Sequence, residues 1–302
     1  MSGRRIAVTG ATGLLGGALT EALEADGDTV HRVTRDPAKA AEGDIVWDPD
    51  AGEIDAAALE GVDGVVHLAG EPIGDQRWTD ETKRRIHDSR ERGTRLLAET
   101  LAGLDDPPDV LVSGSAVGWY GDRGDEVLTE DSDPGDDFMA RVCIDWEKAT
   151  GAAEEAGIRV VHARTGVVIA DGGPLIDKID LPFRLGVGGR VGSGRQYVAW
   201  IGLDDHIRAL RYLLDHQSLS GPVNLTAPDP ATNAELTKAI GDVLRRPTVL
   251  PIPVAAIRLL YGEMGETLAM VSQRAIPRRL QEAGFTFDHT LTSALRKALK
   301  DR

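Results

Sequence analysis

Short apolar stretches alternate with longer amphipathic ones along the first half of the chain. Residues 5–9 form an apolar run suited to a strand, and from Leu14 through Leu23 apolar positions recur at helical spacing. Residues 28–34 have the β-branched character of a second strand and close a first strand-helix-strand unit. A third strand is expected at 44–47 and a short helix at 56–59. A fourth strand follows at 63–70, apolar on both faces as a central parallel strand should be. Ile86, Leu96, Leu97 and Leu101 supply the buried stripe of a long charged helix over 79–102. Pro107-Pro108 breaks it, 109–115 reads as a fifth strand, 138–156 as another helix and 158–164 as a sixth strand. This alternation predicts an α/β fold built on a doubly wound parallel sheet.

Beyond Thr165 the alternation loosens. Residues 186–197 read as turns and short strands, 200–205 lead into a helix to about 215, and 223–225 read as a strand. A helix is expected over 233–244, capped by Thr232 or Asn233, then an extended segment over 247–253. The last fifty residues, including Gly284-Phe285-Thr286-Phe287 and a helix ending near Lys300, read as a small, mostly helical lobe. The expected division is a dinucleotide-binding domain over 1–165 that also receives about 200–225, and a substrate-side and C-terminal lobe over 166–302. The latter includes a small helical domain from about 248. With no internal repeat and no low-complexity linker, the lobes should be docked.

The first strand runs into Gly10, Gly13 and Gly16 at three-residue spacing, directly before a helix. Glycines there let the chain turn sharply and let a pyrophosphate approach the main chain, while the helix N-terminus offers N–H groups and a positive dipole end. This is a dinucleotide site in form. The second strand ends in Thr34-Arg35-Asp36, and an arginine at that place accommodates a 2'-phosphate, which favours NADP over NAD. A solvated Arg35 with Asp36 on the ribose is the alternative. Ligands of open α/β sheets lie beyond the carboxyl ends of the strands, so Leu68, Ala69, Gly70 and Glu71 should border the cofactor and Ser115 is a candidate for chemistry. His67 reads as a packed strand residue. The glycine-rich, acidic loop over 116–137 is too long for a mere connector and should cover part of the site.

Charge and composition narrow the partners. One cysteine, Cys143, excludes an intramolecular disulfide and a cysteine zinc framework, and no metal site is expected. No apolar run approaches the roughly 20 residues of a membrane span, and the N-terminus lacks a signal-like core, which reads as a cytoplasmic protein without a membrane partner. A net charge of -15 argues against a nucleic-acid surface. Asp outnumbers Glu 31 to 18, and Arg outnumbers Lys 27 to 7. That bias resembles proteins of salt-loving organisms, where salt screens self-repulsion; an acidic enzyme from a GC-rich genome is the alternative.

With those residues in view, the chain resembles the extended short-chain dehydrogenase/reductase superfamily of epimerase/dehydratase type over its whole length. It is most similar to the epimerase family proteins with an extra C-terminal domain of unknown function. The resemblance rests on Thr9-Gly10-Ala11-Thr12-Gly13-Leu14-Leu15-Gly16, His67-Leu68-Ala69-Gly70-Glu71-Pro72-Ile73, Arg77-Trp78, Ser89-Arg90 and Ser113-Gly114-Ser115-Ala116-Val117-Gly118-Trp119-Tyr120-Gly121. Further matches are Gly124-Asp125-Glu126, Asp145-Trp146-Glu147, Arg164-Thr165-Gly166, Gly265-Glu266, Pro277 and Gly284-Phe285. It implies a Rossmann domain binding NADP(H) through Gly10, Thr12, Gly13, Leu14, Leu15, Gly16, Leu68, Ala69, Gly70 and Ser113. Thr34 and Arg35 would lie near the adenosine phosphate, with Glu71 and Arg77 lining the cleft.

One departure matters more than the matches. The superfamily moves protons with a Tyr-x-x-x-Lys pair, but the residues four places after the four tyrosines here are Gly124, Ile201, His216 and Gly265. Alignment on Trp146-Glu147 puts Met139 and Cys143 where the pair should stand. Ser115 remains to bind a substrate oxygen, and Tyr120 is the remaining proton donor by residue type, unless it only shapes the loop. Cys143 reads as a buried hydrophobe, Glu147 and Lys148 as helix-surface charges. Arg164 and Gln196-Tyr197 face the substrate or tie the lobes together. Two functions follow: an NADP(H)-dependent oxidoreductase on an unidentified small molecule, with a nucleotide-sugar epimerase as a lesser variant, or a non-catalytic NADP(H) sensor. A monomer or a homodimer paired through the helices from 79 and 138 suits either. Thermal stability rising steeply between low salt and molar KCl is the result expected of salt adaptation; equal stability without salt contradicts it.

Overall fold

The computed structural model describes residues 3–38 and 40–299; the expected end of the last helix near Lys300 lies outside the described residues. The first half follows the apolar pattern closely. It runs β1 (Arg5–Thr9), α1 (Leu14–Ala25), β2 (Thr29–Thr34), β3 (Ile45–Asp48), β4 (Glu53–Ile54), a 3-10 turn at Ala57–Leu59, β5 (Gly64–His67), α2 (Asp80–Ala102) and β6 (Val110–Ala116). Thr79 caps α2 by accepting from the Thr82 N–H, and Asp80 and Glu81 sit in its first turn, where the helix dipole favours negative charge. After a 3-10 turn at Val117–Tyr120 come β7 (Val127–Leu128), α3 (Phe138–Lys148), α4 (Gly151–Glu155) and β8 (Arg159–Thr165).

The expected helix over 138–156 is thus two helices. They part at Ala149 and Thr150, where the Thr150 hydroxyl donates to the Glu147 carbonyl and also meets His162 Nε2 at 3.0 Å. A side chain that bonds the backbone of the preceding turn competes with helix continuation.

Past Thr165 lie β9 (Val167–Ile169), α5 (Pro174–Arg184), β10 (Tyr197–Val198), β11 (Trp200–Gly202), α6 (Leu203–Asp215), β12 (Gly221–Leu225), β13 (Ala231–Thr232) and α7 (Asn233–Leu244). The chain closes with α8 (Val254–Met270), β14 (Arg274–Ala275), α9 (Arg278–Glu282) and α10 (Leu291–Leu299). A capping box between Thr232 and Glu235 starts α7. Helix α8 is broken at Gly262, which has φ +67°.

The large sheet has the order β12-β8-β6-β5-β1-β2-β3-β4 and is parallel except for β4 at the edge. It is a Rossmann sheet with helices on both faces. Alternate side chains of each central strand enter different cores. Ile6, Val8, Val66 and Val112 pack on one face with Leu19 and Leu23 of α1 and Leu210 and Leu213 of α6. Ala7, Val65 and Leu111 pack on the other with Leu97 and Leu101 of α2. Both cores meet at β1 and β5, whose carboxyl ends lie where the connections part to opposite sides of the sheet, the usual ligand crevice.

Smaller ladders fasten the second half. β9 pairs with β11, β10 with β13, and β14 with β7. The last of these ties the loop over 116–137 to the C-terminal segment. No described helix is long and apolar enough to cross a membrane.

The turn after β1 depends on a missing side chain. A Cβ on Gly16 would lie 2.2 Å from the Gly10 carbonyl oxygen, whereas one on Gly17 would lie 3.5 Å from its nearest neighbour, an ordinary contact. Gly16→Ala should therefore lose about 1 to 3 kcal/mol in urea denaturation, while Gly17→Ala should gain up to about 1 kcal/mol from helix propensity. Equal stabilities for the two variants contradict this packing.

Candidate functional site

The crevice starts at the loop between β1 and α1. Gly10 has φ +68°, and its Cα faces the end of β5 so closely that a Cβ would lie 2.9 Å from the Leu68 carbonyl carbon. Gly13 stands at the N-cap of α1 and brings no capping side chain. The N–H groups of Leu14, Leu15 and Gly16 consequently have no protein acceptor among the described residues. Three free donors at a helix N-terminus, next to a backbone kept bare of side chains, fit a pyrophosphate. Thr12 is exposed at the lip of the loop.

The facing turn is held from below. The Thr9 hydroxyl accepts from the N–H groups of Leu68 (3.0 Å) and Ala69 (3.1 Å) and meets His67 Nδ1 at 2.7 Å. With both N–H groups donating to it, the Thr9 hydroxyl gives its own proton to Nδ1, so His67 carries its hydrogen on Nε2, which reaches Thr94 at 3.0 Å. Burial, aided by Arg90, brings the His67 pKa down to about 4. His67 is thus a neutral structural group.

The adenosine end is open. Thr34 closes β2 and its hydroxyl accepts from the Asp36 N–H, while Arg35 is exposed with no carboxylate partner among the described residues. On the opposite half, Glu71 is held by its N–H on Ser89 and by an ion pair to Arg85 at 3.5 Å. Arg77 turns away from this turn, and its guanidinium donates to the Leu259 and Leu260 carbonyls of α8. Ser113 is fully buried inside β6, paired in register with His67 and His162, so it does not reach the crevice surface as expected.

Arg90, seen in the sequence only as part of the Ser89-Arg90 match, was given no site role there. It packs beneath Gly70, donates to the Glu71 and Ile86 carbonyls and lies with its guanidinium carbon 5.0 Å from the Trp146 ring centroid. Burial lowers its pKa, opposed by Cys143 and Glu71, and no carboxylate among the described residues lies within ion-pair distance. A half-buried cation without a counter-ion is suited to a ligand bearing oxygen acceptors. One arginine in a helix full of charges carries no sequence signal of this.

The chemistry-bearing residues sit on α3, β6 and β8. Met139, Cys143 and Glu147 share the inner face of α3 at four-residue intervals, and Glu147 is only 8% exposed, not the surface charge expected of it. Arg164 of β8 grips it bidentately, Nε to Oε1 at 2.8 Å and Nη2 to Oε2 at 2.9 Å. Burial pulls the Arg164 pKa down, but Glu147 outweighs it and the net shift is upward. Ser115, 4% exposed, donates to Glu147 Oε1 at 2.6 Å. Lys148 is exposed.

Tyr120, the expected proton donor, has its hydroxyl committed inside the protein. It is fully buried; its hydroxyl donates to Asn224 Oδ1 at 2.7 Å and accepts from Arg164 at 3.2 Å, and burial raises its pKa. It fixes the covering loop, as does Trp119, whose ring lies 3.9 Å from the Arg164 guanidinium carbon. Burial, with Glu147 adding to it, pushes the Cys143 thiol up to about 12, so it is an inert core residue. Among the described residues the Arg164 guanidinium bonds only to Glu147, Tyr120 and Glu130, all within 1–165, and the Gln196 amide donates to the Val191 and Ala269 carbonyls, both within 166–302, so neither side chain bridges the two expected lobes. No group of three potential metal ligands occurs among the described residues.

Glu130 completes the loop's anchorage. One carboxyl oxygen accepts from the Asn224 and Arg279 N–H groups, while the other is buried without a partner. Burial raises the pKa despite those bonds. Its contribution to folding is therefore present below the ordinary carboxylate range and is lost as pH rises through the raised value. Glu130→Gln should gain thermal stability relative to wild type as pH rises from about 4 to about 8; a difference constant with pH contradicts this.

Residues 6–225 match the NAD dependent epimerase/dehydratase family, and 252–301 match DUF1731, a domain of unknown function. An epimerase family protein of Mycobacterium bovis is 44% identical over 296 residues, covering 98% of this chain and 97% of the relative. Human epimerase family protein SDR39U1 is 35% identical over 94% of this chain and 95% of the relative. A crystal structure of that human protein with NADPH superposes with a TM-score of 0.90, covering 99% of this chain and 100% of that one. A nucleoside-diphosphate sugar epimerase from Corynebacterium glutamicum, 36% identical, superposes at 0.80 over 99% of this chain and 58% of that one. The chain belongs to the NAD dependent epimerase/dehydratase family, with a DUF1731 domain at its C-terminal end.

Proposed function

We propose that this protein binds NADP(H) across the carboxyl ends of β1, β5 and β6 and acts as an oxidoreductase on a small molecule not yet identified. The observation that carries the reading is the capless N-terminus of α1, with three free N–H groups beside a glycine backbone that tolerates no Cβ. The human relative crystallised with NADPH supports the same cofactor here. The Leu14, Leu15 and Gly16 N–H groups would hold the pyrophosphate and Arg35 with Thr34 the 2'-phosphate. Arg90, on the far side of the Gly70 turn from β2, would hold oxygens of the nicotinamide half. When bound, the cofactor supplies or accepts hydride. Ser115 orients a substrate oxygen.

Without a Tyr-Lys pair the general acid-base contribution, typically about 100-fold to 10,000-fold, is missing or supplied otherwise, and turnover should be slow. A sensor that reads the NADP(H) redox state is the second reading, favoured by the internal commitment of Tyr120 and by the ladder of β7 with β14 that links the covering loop to the C-terminal domain. Either reading suits a cytoplasmic protein, monomeric or homodimeric, without nucleic-acid or membrane partners.

NADPH should bind at least about tenfold more tightly than NADH, a difference of about 1.4 kcal/mol, and Arg35→Ala should remove the preference. Fluorescence titration measures both; tighter NADH binding returns the ribose to Asp36. NADPH oxidation by a panel of carbonyl compounds, or NADP+ reduction by the matching secondary alcohols, marks the enzyme. No turnover in either direction, together with a change of oligomeric state between NADP+ and NADPH, marks the sensor.

A further inference from the structure

Ser115 stands at the carboxyl end of β6, and its hydroxyl has one proton to give. Glu147 takes it: Oγ lies 2.6 Å from Oε1, the same oxygen that accepts from Arg164 Nε. Arg164 presents two parallel N–H groups to both carboxyl oxygens, an arrangement that matches an ionised carboxylate, which can only accept. The direction of the Ser115 bond is thereby fixed. Nothing frees Arg164 to turn: Nη1 is engaged by Tyr120 and the Glu130 carbonyl, and the guanidinium stacks on Trp119. What remains on Ser115 Oγ is lone pairs.

We propose that Glu147 is a positioning residue that makes Ser115 a hydrogen-bond acceptor, so that the cleft selects a substrate in its hydroxyl form over the corresponding carbonyl compound. This rests on the oxidoreductase reading and names the substrate class for it: a secondary alcohol whose O–H donates to Ser115. A carbonyl oxygen in the same place meets lone pairs with no donor between. A site arranged to bond a hydroxyl discriminates against an analogue that cannot donate, because its own polar group is left unpaired.

The test uses the full-length protein saturated with the tetrahydro form of NADPH, which cannot transfer hydride. Matched pairs, propan-2-ol with acetone and 1-phenylethanol with acetophenone, are titrated by ligand-detected NMR. Wild type should bind each alcohol about tenfold or more tightly than its ketone. Ser115→Ala should weaken the alcohols to the level of the ketones and leave the ketones unchanged. Replacing the ion pair as a whole, Glu147→Leu with Arg164→Met, removes both charges together and is the substitution a buried pair tolerates best. It frees the Ser115 hydroxyl to rotate, so ketone binding should tighten, which loss of packing alone would not produce.

Ketones bound as well as or better than alcohols by wild type overturn the inference while leaving the oxidoreductase reading standing. Absence of binding by every pair overturns the inference, and the oxidoreductase reading then stands or falls on the turnover screen. Should the double variant fail to fold, Ser115→Ala decides: ketone affinity that falls with it shows Ser115 donating and contradicts the proposal.

Discussion

The buried pair of Glu147 and Arg164 is the interaction on which the site depends. It joins α3 to β8, orients Ser115 at the end of β6, and through the Tyr120 hydroxyl and the Trp119 ring sets the loop that follows β6. Two charges in such a place cost several kcal/mol each in lost solvation. The cost is offset only because nearly every donor and acceptor is used: Arg164 makes bonds to Glu147, Tyr120 and Glu130, and Glu147 accepts from both Arg164 and Ser115. Such a network specifies one arrangement of three elements rather than adding much net stability.

The second constraint is the close approach of three backbone segments at the other end of the crevice. The Gly10 turn lies against Leu68 and Ala69, Thr9 ties both of their N–H groups, and Gly16 leaves room for the Gly10 carbonyl. Nothing in that corner has a side chain to spare. The result is a surface of unpaired N–H groups facing outward, and Arg90 and Arg35 stand on either side of it. In a chain of net charge -15, this local excess of donors and cations is what would draw a dinucleotide with a pyrophosphate and a 2'-phosphate into the crevice.

Most of the fold was legible because a parallel sheet buried on both faces writes itself as short apolar runs. Residues 5–9, 63–70 and 109–115 were readable as strands for that reason. The pieces missed share a different cause. Helix α5 carries Pro182 in its interior, a residue that locally reads as a helix breaker, and two- or three-residue ladders such as β7 with β14 are set by tertiary pairing rather than by local pattern. At the site, the glycines and the loss of the Tyr-Lys pair were plain, whereas Glu147 read as a surface charge because its partner lies seventeen residues away on another strand. The recurrence of Met139, Cys143 and Glu147 every four residues was the available clue. Ser113 and Ser115 share one face of β6, yet Ser113 lies a full strand repeat deeper and is wholly buried, and Tyr120 turns inward from the 3-10 turn after β6; neither depth is written in the local sequence.

The central claim is that the bare backbone after β1 receives the phosphates of NADP(H). A crystal structure with NADPH tests it most directly. The account predicts the pyrophosphate on the N–H groups of Leu14 and Leu15 and the 2'-phosphate against Arg35. A dinucleotide whose ribose hydroxyls sit on Asp36 with Arg35 turned to solvent, or a crevice that remains empty at saturating NADPH, would contradict it.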